Sequence, residues 1–154
     1  KGRLAVFQCG DIAGVITASD LIREMPDAPE TSLSVDEFMT RDVKSIGEDE
    51  TVEEAARIMG RNRIGSLLVM RDDHPLGIFT ERDLLTTFIA RDRPLDAPVS
   101  MASSSPLITA PAGISIHAAA KTMASRHIRR LILLKKKTLE GIITARDLVE
   151  AYAR

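Results

Sequence analysis

A segment that occurs three times constrains the fold of this chain more than any other feature of its sequence. The copies occupy residues 4–22, 67–85 and 131–149, so they begin at a nearly constant spacing. Each has two short apolar runs separated by turn-forming residues, which are Gly10-Asp11, Asp72-Asp73 and Lys135 to Lys137. Each ends in Gly, two apolar residues, Thr, two variable residues, Asp and Leu. This pattern predicts a hairpin followed by a helix in every copy.

A second repeated pattern lies upstream of the last two copies. Residues 51–59 and 115–123 place apolar side chains at i, i+3, i+4 and i+7, the stripe of a helix that packs on one side. Thr51 and Glu54 have the spacing of a capping box, whereas the later segment keeps only Ser115 as a capping residue. Short extended stretches, residues 43–46 and 107–109, precede these helices. One complete repeat is therefore predicted to be strand, helix, strand, strand, helix.

The repeats divide the chain into three parts. Complete motifs are expected at residues 35–92 and 99–154, and residues 1–25 hold only the second half of a further motif. Segments rich in proline and polar residues, 26–34 and 92–100, are expected to connect them. A half motif exposes a strand edge and an apolar helix face, which both invite pairing. We therefore expect either that the natural chain supplies the missing half upstream or that the half motif docks on a second chain, with a homodimer in both cases.

Composition and charge exclude several classes of function. The formal net charge is −1, so no positive field draws the chain to nucleic acid. No apolar run reaches the roughly 18 residues of a membrane span, and no segment resembles a secretory leader. One Cys and three scattered His provide neither a disulfide nor a multi-cysteine metal site. We expect a cytoplasmic protein without a membrane segment or a bound metal.

The repeat of about 60 residues, with its endings GIFTERD and GIITARD, resembles the CBS (cystathionine beta-synthase) domain family. The starts Met39-Thr40 and Met101-Ala102 also look like the opening of that family's repeat. The resemblance implies a mixed α/β fold in which tandem CBS motifs pair about a pseudo-twofold axis as a Bateman module. It further implies an adenine-containing ligand in the clefts between motifs: AMP, ADP, ATP or S-adenosylmethionine. No separate cofactor is expected.

The matching Thr and Asp positions are the first candidate ligand-binding residues. They are Thr80 with Asp83, Thr144 with Asp147 and, in the half motif, Thr17 with Asp20. The resemblance implies that the Asp accepts hydrogen bonds from ribose hydroxyls and that the Thr reaches ribose or phosphate. A carboxylate suits this role because charge-assisted hydrogen bonds are strong. The same spacing equally fits a helix cap, so both interpretations stand at this point.

Basic side chains near these pairs are candidates for phosphate binding. The resemblance implies that Arg129 and Arg130 stand where the family often contacts phosphate. Gly65 and Ser66 fill those places in the other complete motif, which puts its phosphate contact in doubt. Arg146 is a further candidate. The alternative is that these arginines are solvent-exposed residues near the start of a strand and bind no ligand.

Apolar residues at the strand starts are candidates for an adenine slot. Ile46 and Ile108 are the principal candidates, although apolar residues of this kind more often only pack in the hydrophobic core. His74 and His117 are expected to be exposed, and Cys9 is interpreted as an ordinary turn thiol.

The sequence predicts a binding module rather than an enzyme. It contains no Gly-rich phosphate loop, no metal-ligand spacing and no nucleophile with a recognisable base. The first hypothesis is a regulatory module that binds an adenine nucleotide and transmits its occupancy to an upstream or separate effector domain. The second is a structural module that joins subunits and binds no small molecule. A nucleic-acid-associated regulator is a third possibility, against which the near-neutral charge argues.

Overall fold

A computed structural model describes residues 3–25, 31–72 and 74–153. The described part is mixed α/β, in agreement with the prediction from the sequence. It separates into a first unit, Lys1–Arg41 with Ile108–Arg154, and a second unit, Asp42–Leu107. Residues 26–30 of the first expected connector, and Asp73 of one expected turn, lie outside the described residues.

The second unit contains one complete strand, helix, strand, strand, helix repeat. Its elements are β3 (Ser45–Gly47), α2 (Val52–Asn62), β4 (Ser66–Arg71), β5 (His74–Thr80) and α3 (Glu81–Asp83). Strand β3 pairs in parallel with β4, and β4 pairs antiparallel with β5. Buried side chains of α2 cover one face of this sheet, as its apolar stripe predicts.

The capping box predicted for α2 is only half formed. Thr51 Oγ1 accepts a hydrogen bond from the backbone N–H of Glu54 at 3.1 Å. The Glu54 carboxylate does not return to the Thr51 backbone and instead forms an ion pair with Arg57. Helix α2 therefore begins at the predicted residue with one capping bond in place of two.

The closing helix of the second unit is irregular after α3. It continues as a π-helical turn (Leu84–Phe88) and a 3-10 turn (Ile89–Arg91). The Thr86 hydroxyl donates to the carbonyl of Arg82, four residues earlier, at 2.8 Å. A hydroxyl bonded there competes with the helical ladder.

The first unit contains the other complete repeat together with the half motif. The complete repeat consists of β6 (Thr109–Pro111), α4 (Ile116–Arg126), β7 (Arg130–Lys135), β8 (Thr138–Thr144) and α5 (Ala145–Tyr152). Its strands pair in the same order and sense as those of the second unit. The half motif consists of β1 (Arg3–Gln8), β2 (Asp11–Thr17) and α1 (Ala18–Glu24), with β1 and β2 antiparallel.

Helix α1 packs within the first unit. Ile22 and, just after the helix, Met25 are buried in one cluster with Met123 of α4 and Leu148 of α5. The expectation that the apolar face of this helix stays open is therefore wrong, because the chain's own helices cover it. The hairpin β1–β2 remains exposed, as expected.

In the two complete motifs, the glycine at the start of the repeated Gly-to-Leu pattern lets a neighbouring backbone segment pack closely against the strand. A Cβ on Gly141 would stand 2.8 Å from the carbonyl oxygen of Thr40, and Thr40 pairs with Ile142 in an isolated bridge. A Cβ on Gly77 would stand 3.0 Å from the carbonyl oxygen of Ser104. The close approach of an extended segment explains why both positions lack a side chain.

Candidate functional site

In the first unit, three strand ends meet at one edge of the sheet. Arg130, at the start of β7, is the register partner of Thr144 at the end of β8. The N–H of Ala145 donates to the carbonyl of Arg129 at 2.9 Å. Ile108 directly precedes β6, whose first residue pairs with Ile132 of β7. The fold thus gathers the predicted residues of this motif around the start of α5.

Thr144 and Asp147 form the reciprocal cap of α5. The Thr144 backbone N–H and hydroxyl both donate to Asp147 Oδ2, at 2.8 and 2.7 Å, and Asp147 N–H returns a weak bond to Thr144 Oγ1 at 3.4 Å. The capping interpretation is therefore confirmed. Within the described chain, no donor is bonded to Asp147 Oδ1. The cap uses one carboxylate oxygen and leaves the other available.

Thr80 and Asp83 repeat this arrangement in the second unit. The Thr80 N–H and hydroxyl donate to Asp83 Oδ2 at 2.8 and 2.7 Å. Both side chains are half-buried, as are Thr144 and Asp147. Asp83 Oδ1 likewise has no bonded donor in the described part of the chain.

The half motif differs from the two complete motifs at this carboxylate. Asp20 Oδ2 accepts from Thr17, and its other oxygen, Oδ1, accepts from Arg23 at 2.6 Å. The hydrogen bond from the Thr17 side chain, aided by the Thr17 backbone and the Arg23 charge, lowers the pKa of Asp20. Both oxygens of Asp20 are engaged within its own motif.

The three candidate arginines occupy different environments. Arg129 is exposed and has no carboxylate within ion-pair distance among the described residues. Arg130 is half-buried in β7, and Arg146 is exposed on α5. In the second unit, Gly65 accepts from the N–H of Glu81 at 3.2 Å, so the backbone arrangement is kept where the cations are absent.

Sequence reasoning missed a basic residue in the second unit. Lys44 lies at the same sheet edge, because its carbonyl accepts from the N–H of Leu68 in β4 at 3.1 Å. Its Nζ is 2.7 Å from Asp42 Oδ2. Aligning the two repeats over their full length places Lys44 opposite Ile108, and that alignment would have identified it.

The two apolar candidates are not equivalent positions. Ile108 is half-buried and packs against the core of the first unit. Ile46 is buried in the core of the second unit, two residues farther along its strand than the position that matches Ile108. The structure thus gives both residues a packing role, and their contact with adenine stays a prediction.

A cavity of about 290 Å³ adjoins Arg129 within the first unit. Three basic side chains line it: Arg23 of α1, His127 and Arg129. Ser19 of α1 adds a hydroxyl, and Ile22 and Met123 belong to its apolar lining. Its volume is at the small end of the range for ligand pockets, roughly 300–1,000 Å³. No local pattern predicts this cavity, since its walls come from segments about a hundred residues or more apart.

One of the histidine expectations is wrong. His117 is buried, not exposed, and its Nδ1 lies 3.1 Å from the hydroxyl of Tyr152 in α5. A polar partner on a neighbouring helix makes this burial tolerable. His74 is exposed, as predicted. Cys9 lies in the hairpin turn, as predicted, where it is exposed and has a positive φ of 53°.

The described residues contain no group of three or more potential metal ligands of the His, Cys, Asp and Glu types. No helix in this part of the chain combines the length and apolar character that a membrane span requires.

The family model of the CBS domain matches residues 35–90 and 99–154. The chain belongs to the CBS domain family. Its sequence is 30% identical over 163 residues to protein MJ1404 of Methanocaldococcus jannaschii, covering 96% of this chain and 39% of that protein. The fold and the repeat inferred from the sequence are thereby confirmed.

Solved structures of other proteins share this fold, and two of them illustrate the likeness. A conserved protein from Pyrococcus horikoshii is 29% identical with a TM-score of 0.74, over 82% of this chain and 96% of that one. Protein MJ1225 from Methanocaldococcus jannaschii is 23% identical with a TM-score of 0.80, over 99% of this chain and 59% of that one. The chain therefore spans less than two thirds of the length of MJ1404 and of MJ1225.

Proposed function

We propose that this CBS protein is a regulatory module that binds an adenine nucleotide through the sheet edge of its first unit. The observation that carries the proposal is that a carboxylate oxygen and a guanidinium at that edge have no protein partner in the described chain. Asp147 has an available carboxylate oxygen, and the exposed Arg129 has no ion-pair partner in the described chain. An acceptor for hydroxyls and a cation for phosphate on the same sheet edge suit the recognition of a nucleotide.

Different residues at this edge bind different parts of the nucleotide. Asp147 Oδ1 accepts from a ribose hydroxyl, while Thr144 holds the other oxygen and so acts as a positioning residue. Arg129 and Arg130 contact phosphate. Arg146 is a further candidate for the phosphate. Thr80 and Asp83 give the second unit the same kind of ribose-binding pair at its own sheet edge. Ile108 contributes apolar surface for the adenine.

The basic cavity beside Arg129 supports an anionic ligand. Arg23 and Arg129 line one small space, and although Arg23 is ion-paired with Asp20, two guanidinium groups near one another favour a bound anion. MJ1225, which has the same fold, has been proposed to be an archaeal homologue of g-AMPK. That description is in keeping with nucleotide sensing.

Binding would regulate by differential affinity. A ligand shifts an equilibrium between two arrangements of the protein only as far as its affinities for them differ. The proposal includes an effector that responds to binding, either a further domain or a separate subunit. It also includes S-adenosylmethionine as an alternative ligand, and a homodimer. A cytoplasmic location fits an exposed free thiol at Cys9, because such thiols persist in reducing compartments.

The variant Asp147→Asn separates ligand binding from helix capping. Asn still offers an oxygen to the Thr144 donors but loses the charge that strengthens bonds to ribose hydroxyls. We expect roughly tenfold weaker nucleotide binding and a loss of less than about 1 kcal/mol in unfolding free energy. Thermal melting with and without AMP, ADP, ATP or S-adenosylmethionine measures both quantities.

The matched control is Glu150→Gln, which removes one negative charge from the exposed side of the same helix. It should bind as the unaltered chain does. If Asp147→Asn melts earlier but binds normally, the carboxylate only caps the helix. If no ligand raises the melting temperature of the unaltered chain, the structural hypothesis is favoured.

A further inference from the structure

A second cavity lies next to the one that adjoins Arg129. It has a volume of about 580 Å³ and is lined by residues of α4, among them Lys121, and by Arg23 of α1. Arg23 and Ala124 line both cavities, so the two spaces are neighbours. Together they form a groove between α1 and α4, named here the basic groove, which extends from Arg129 past Arg23 to Lys121.

The lining of the basic groove favours negative charge. Among the described residues that line it, the fully charged side chains are all basic, namely Arg23, Lys121 and Arg129. The buried side chains of Ile22 and Met123 also line it, and apolar walls strengthen the attraction between charges because they exclude water. The basic groove therefore suits an extended ligand that carries several negative charges.

Arg23 has N–H donors that remain available to such a ligand. Within the described chain its guanidinium bonds only to Asp20, from Nη2 to Oδ1 at 2.6 Å. A guanidinium has several further donors, so Asp20 can hold the side chain in place while Arg23 contacts an anion. The two side chains are 60% and 43% exposed, and exposed ion pairs of this kind contribute little to stability. Arg23 can therefore also leave Asp20 for a more highly charged partner.

The cation at this place distinguishes α1 from the closing helices of the complete motifs. Arg23 is the third residue after the capping Asp of the half motif, and Thr86 and Glu150 hold that place in the other two copies. The basic groove is thus a feature of α1 packed on α4 and not of the repeat itself.

The basic groove begins at the sheet edge that we propose for nucleotide binding. Arg129 belongs to both, because its carbonyl accepts from the N–H of Ala145, and both residues line the first cavity. Ala145 is the first residue of α5, whose cap is formed by Thr144 and Asp147. A nucleotide held at this edge by its ribose can therefore extend its phosphates into the groove.

We propose that the basic groove makes the first unit select nucleotides with two or three phosphates over AMP. This inference rests on the proposed nucleotide site. Arg129 contacts the phosphate next to the ribose, Arg23 contacts the second phosphate, and Lys121 is the cation for a third. Arg23 is the specificity-determining residue, because a monophosphate ends before it. The same cations disfavour S-adenosylmethionine, whose sulfonium group is positively charged.

Calorimetric titration of the full chain with AMP, ADP and ATP tests the selectivity, without Mg²⁺ so that the phosphate charges are uncompensated. We expect ADP and ATP to bind at least about tenfold more tightly than AMP, because each gains a charge-assisted contact. Arg23→Gln should weaken ADP and ATP about tenfold and change AMP by less than about twofold. Lys121→Gln should weaken ATP more than ADP.

The matched control is Arg126→Gln, which removes a positive charge from an exposed residue of α4 that lines neither cavity. It should bind all three nucleotides as the unaltered chain does. Thermal melting without ligand should be nearly the same for Arg23→Gln and the unaltered chain, since that side chain is mostly exposed. Equal affinities for AMP and ATP would overturn the inference and leave the nucleotide site in place. So would an equal loss for all three nucleotides in Arg23→Gln.

Inorganic tripolyphosphate separates the basic groove from the nucleotide site. We expect it to bind the full chain and to bind Arg23→Gln about tenfold more weakly. If no nucleotide binds but tripolyphosphate binds through Arg23, the proposed function is wrong and the groove is retained as a polyphosphate site. If neither the nucleotides nor tripolyphosphate bind, the inference is overturned together with the proposed function.

Discussion

At the scale of single residues, one carboxylate can cap a helix and still bind a ligand, because it has two oxygens. Asp147 and Asp83 each give Oδ2 to the preceding Thr and keep Oδ1 available in the described chain. Asp20 has the same cap, but its second oxygen is bonded to Arg23. The positions of the three Asp residues were predicted from the sequence, whereas the ion pair of Asp20 was not, although Arg23 has the i,i+3 spacing that allows it.

The lowered pKa of Asp20 predicts a pH-dependent contribution to stability. A carboxyl group with a lower pKa when folded stabilises above its unfolded pKa, and the contribution is lost as the pH falls through the folded pKa. The melting difference between the unaltered chain and Asp20→Asn should therefore be largest near neutral pH and shrink in acid. Thermal melting across this pH range measures it. Glu24→Gln, an exposed position on the same helix, is the control, and a gap that stays constant would contradict the account.

The burial of His117 could not be predicted from the local sequence. Its helix was predicted, but His117 is not one of the residues of the predicted apolar stripe, and its partner Tyr152 is 35 residues away on α5. A His beside such a stripe does not indicate a distant partner, so exposure was expected.

At the scale of elements, the repeated ending is explained by two contacts. Its Thr and Asp start a helix, and its Gly admits an extended segment against the sheet. Periodicity predicted the hairpins and the two long helices with boundaries close to those observed. It did not predict the irregular helix after Asp83, where the Thr86 hydroxyl donates to the carbonyl of Arg82 and where the other repeat has Glu150 in place of Thr86.

Substituting the glycine should be costly only where a backbone approaches it. Gly141→Ala places a Cβ 2.8 Å from the Thr40 carbonyl oxygen and should destabilise by about 1–3 kcal/mol. Gly14→Ala, at the matching place in the half motif, meets nothing and should be nearly neutral. Denaturant unfolding compares the two, and equal losses would show that the close approach is unimportant.

The irregular helix is held by one aromatic anchor. Phe88 is buried, and its ring lies 6.5 Å from that of Phe79 in an edge-to-face arrangement. Phe88→Ala should cost about 3–5 kcal/mol by leaving a cavity. Ile89→Ala, at an exposed neighbour, should cost much less. If chemical denaturation gives both variants the same loss, the anchor assignment is wrong.

At the scale of the whole molecule, the repeat predicted the family and the fold class. The boundaries of the two compact units, however, do not coincide with the boundaries of the motifs in the sequence. Met39 and Thr40 open one motif in sequence, yet they pack against Gly141 of the other complete motif. A short opening segment has no periodicity that says which sheet it joins. Long-range pairing of this kind is decided by tertiary contacts, which a local pattern cannot show.

The regulatory account rests on adenine-nucleotide binding, and calorimetric titration of the full chain tests it most directly. Titrating AMP, ADP, ATP and S-adenosylmethionine should give saturable binding of at least one of them. Arg129→Ala should weaken a phosphate-bearing ligand severalfold while leaving adenosine unchanged, because that side chain serves the phosphate. Absence of binding by all four ligands at millimolar concentration would contradict the account.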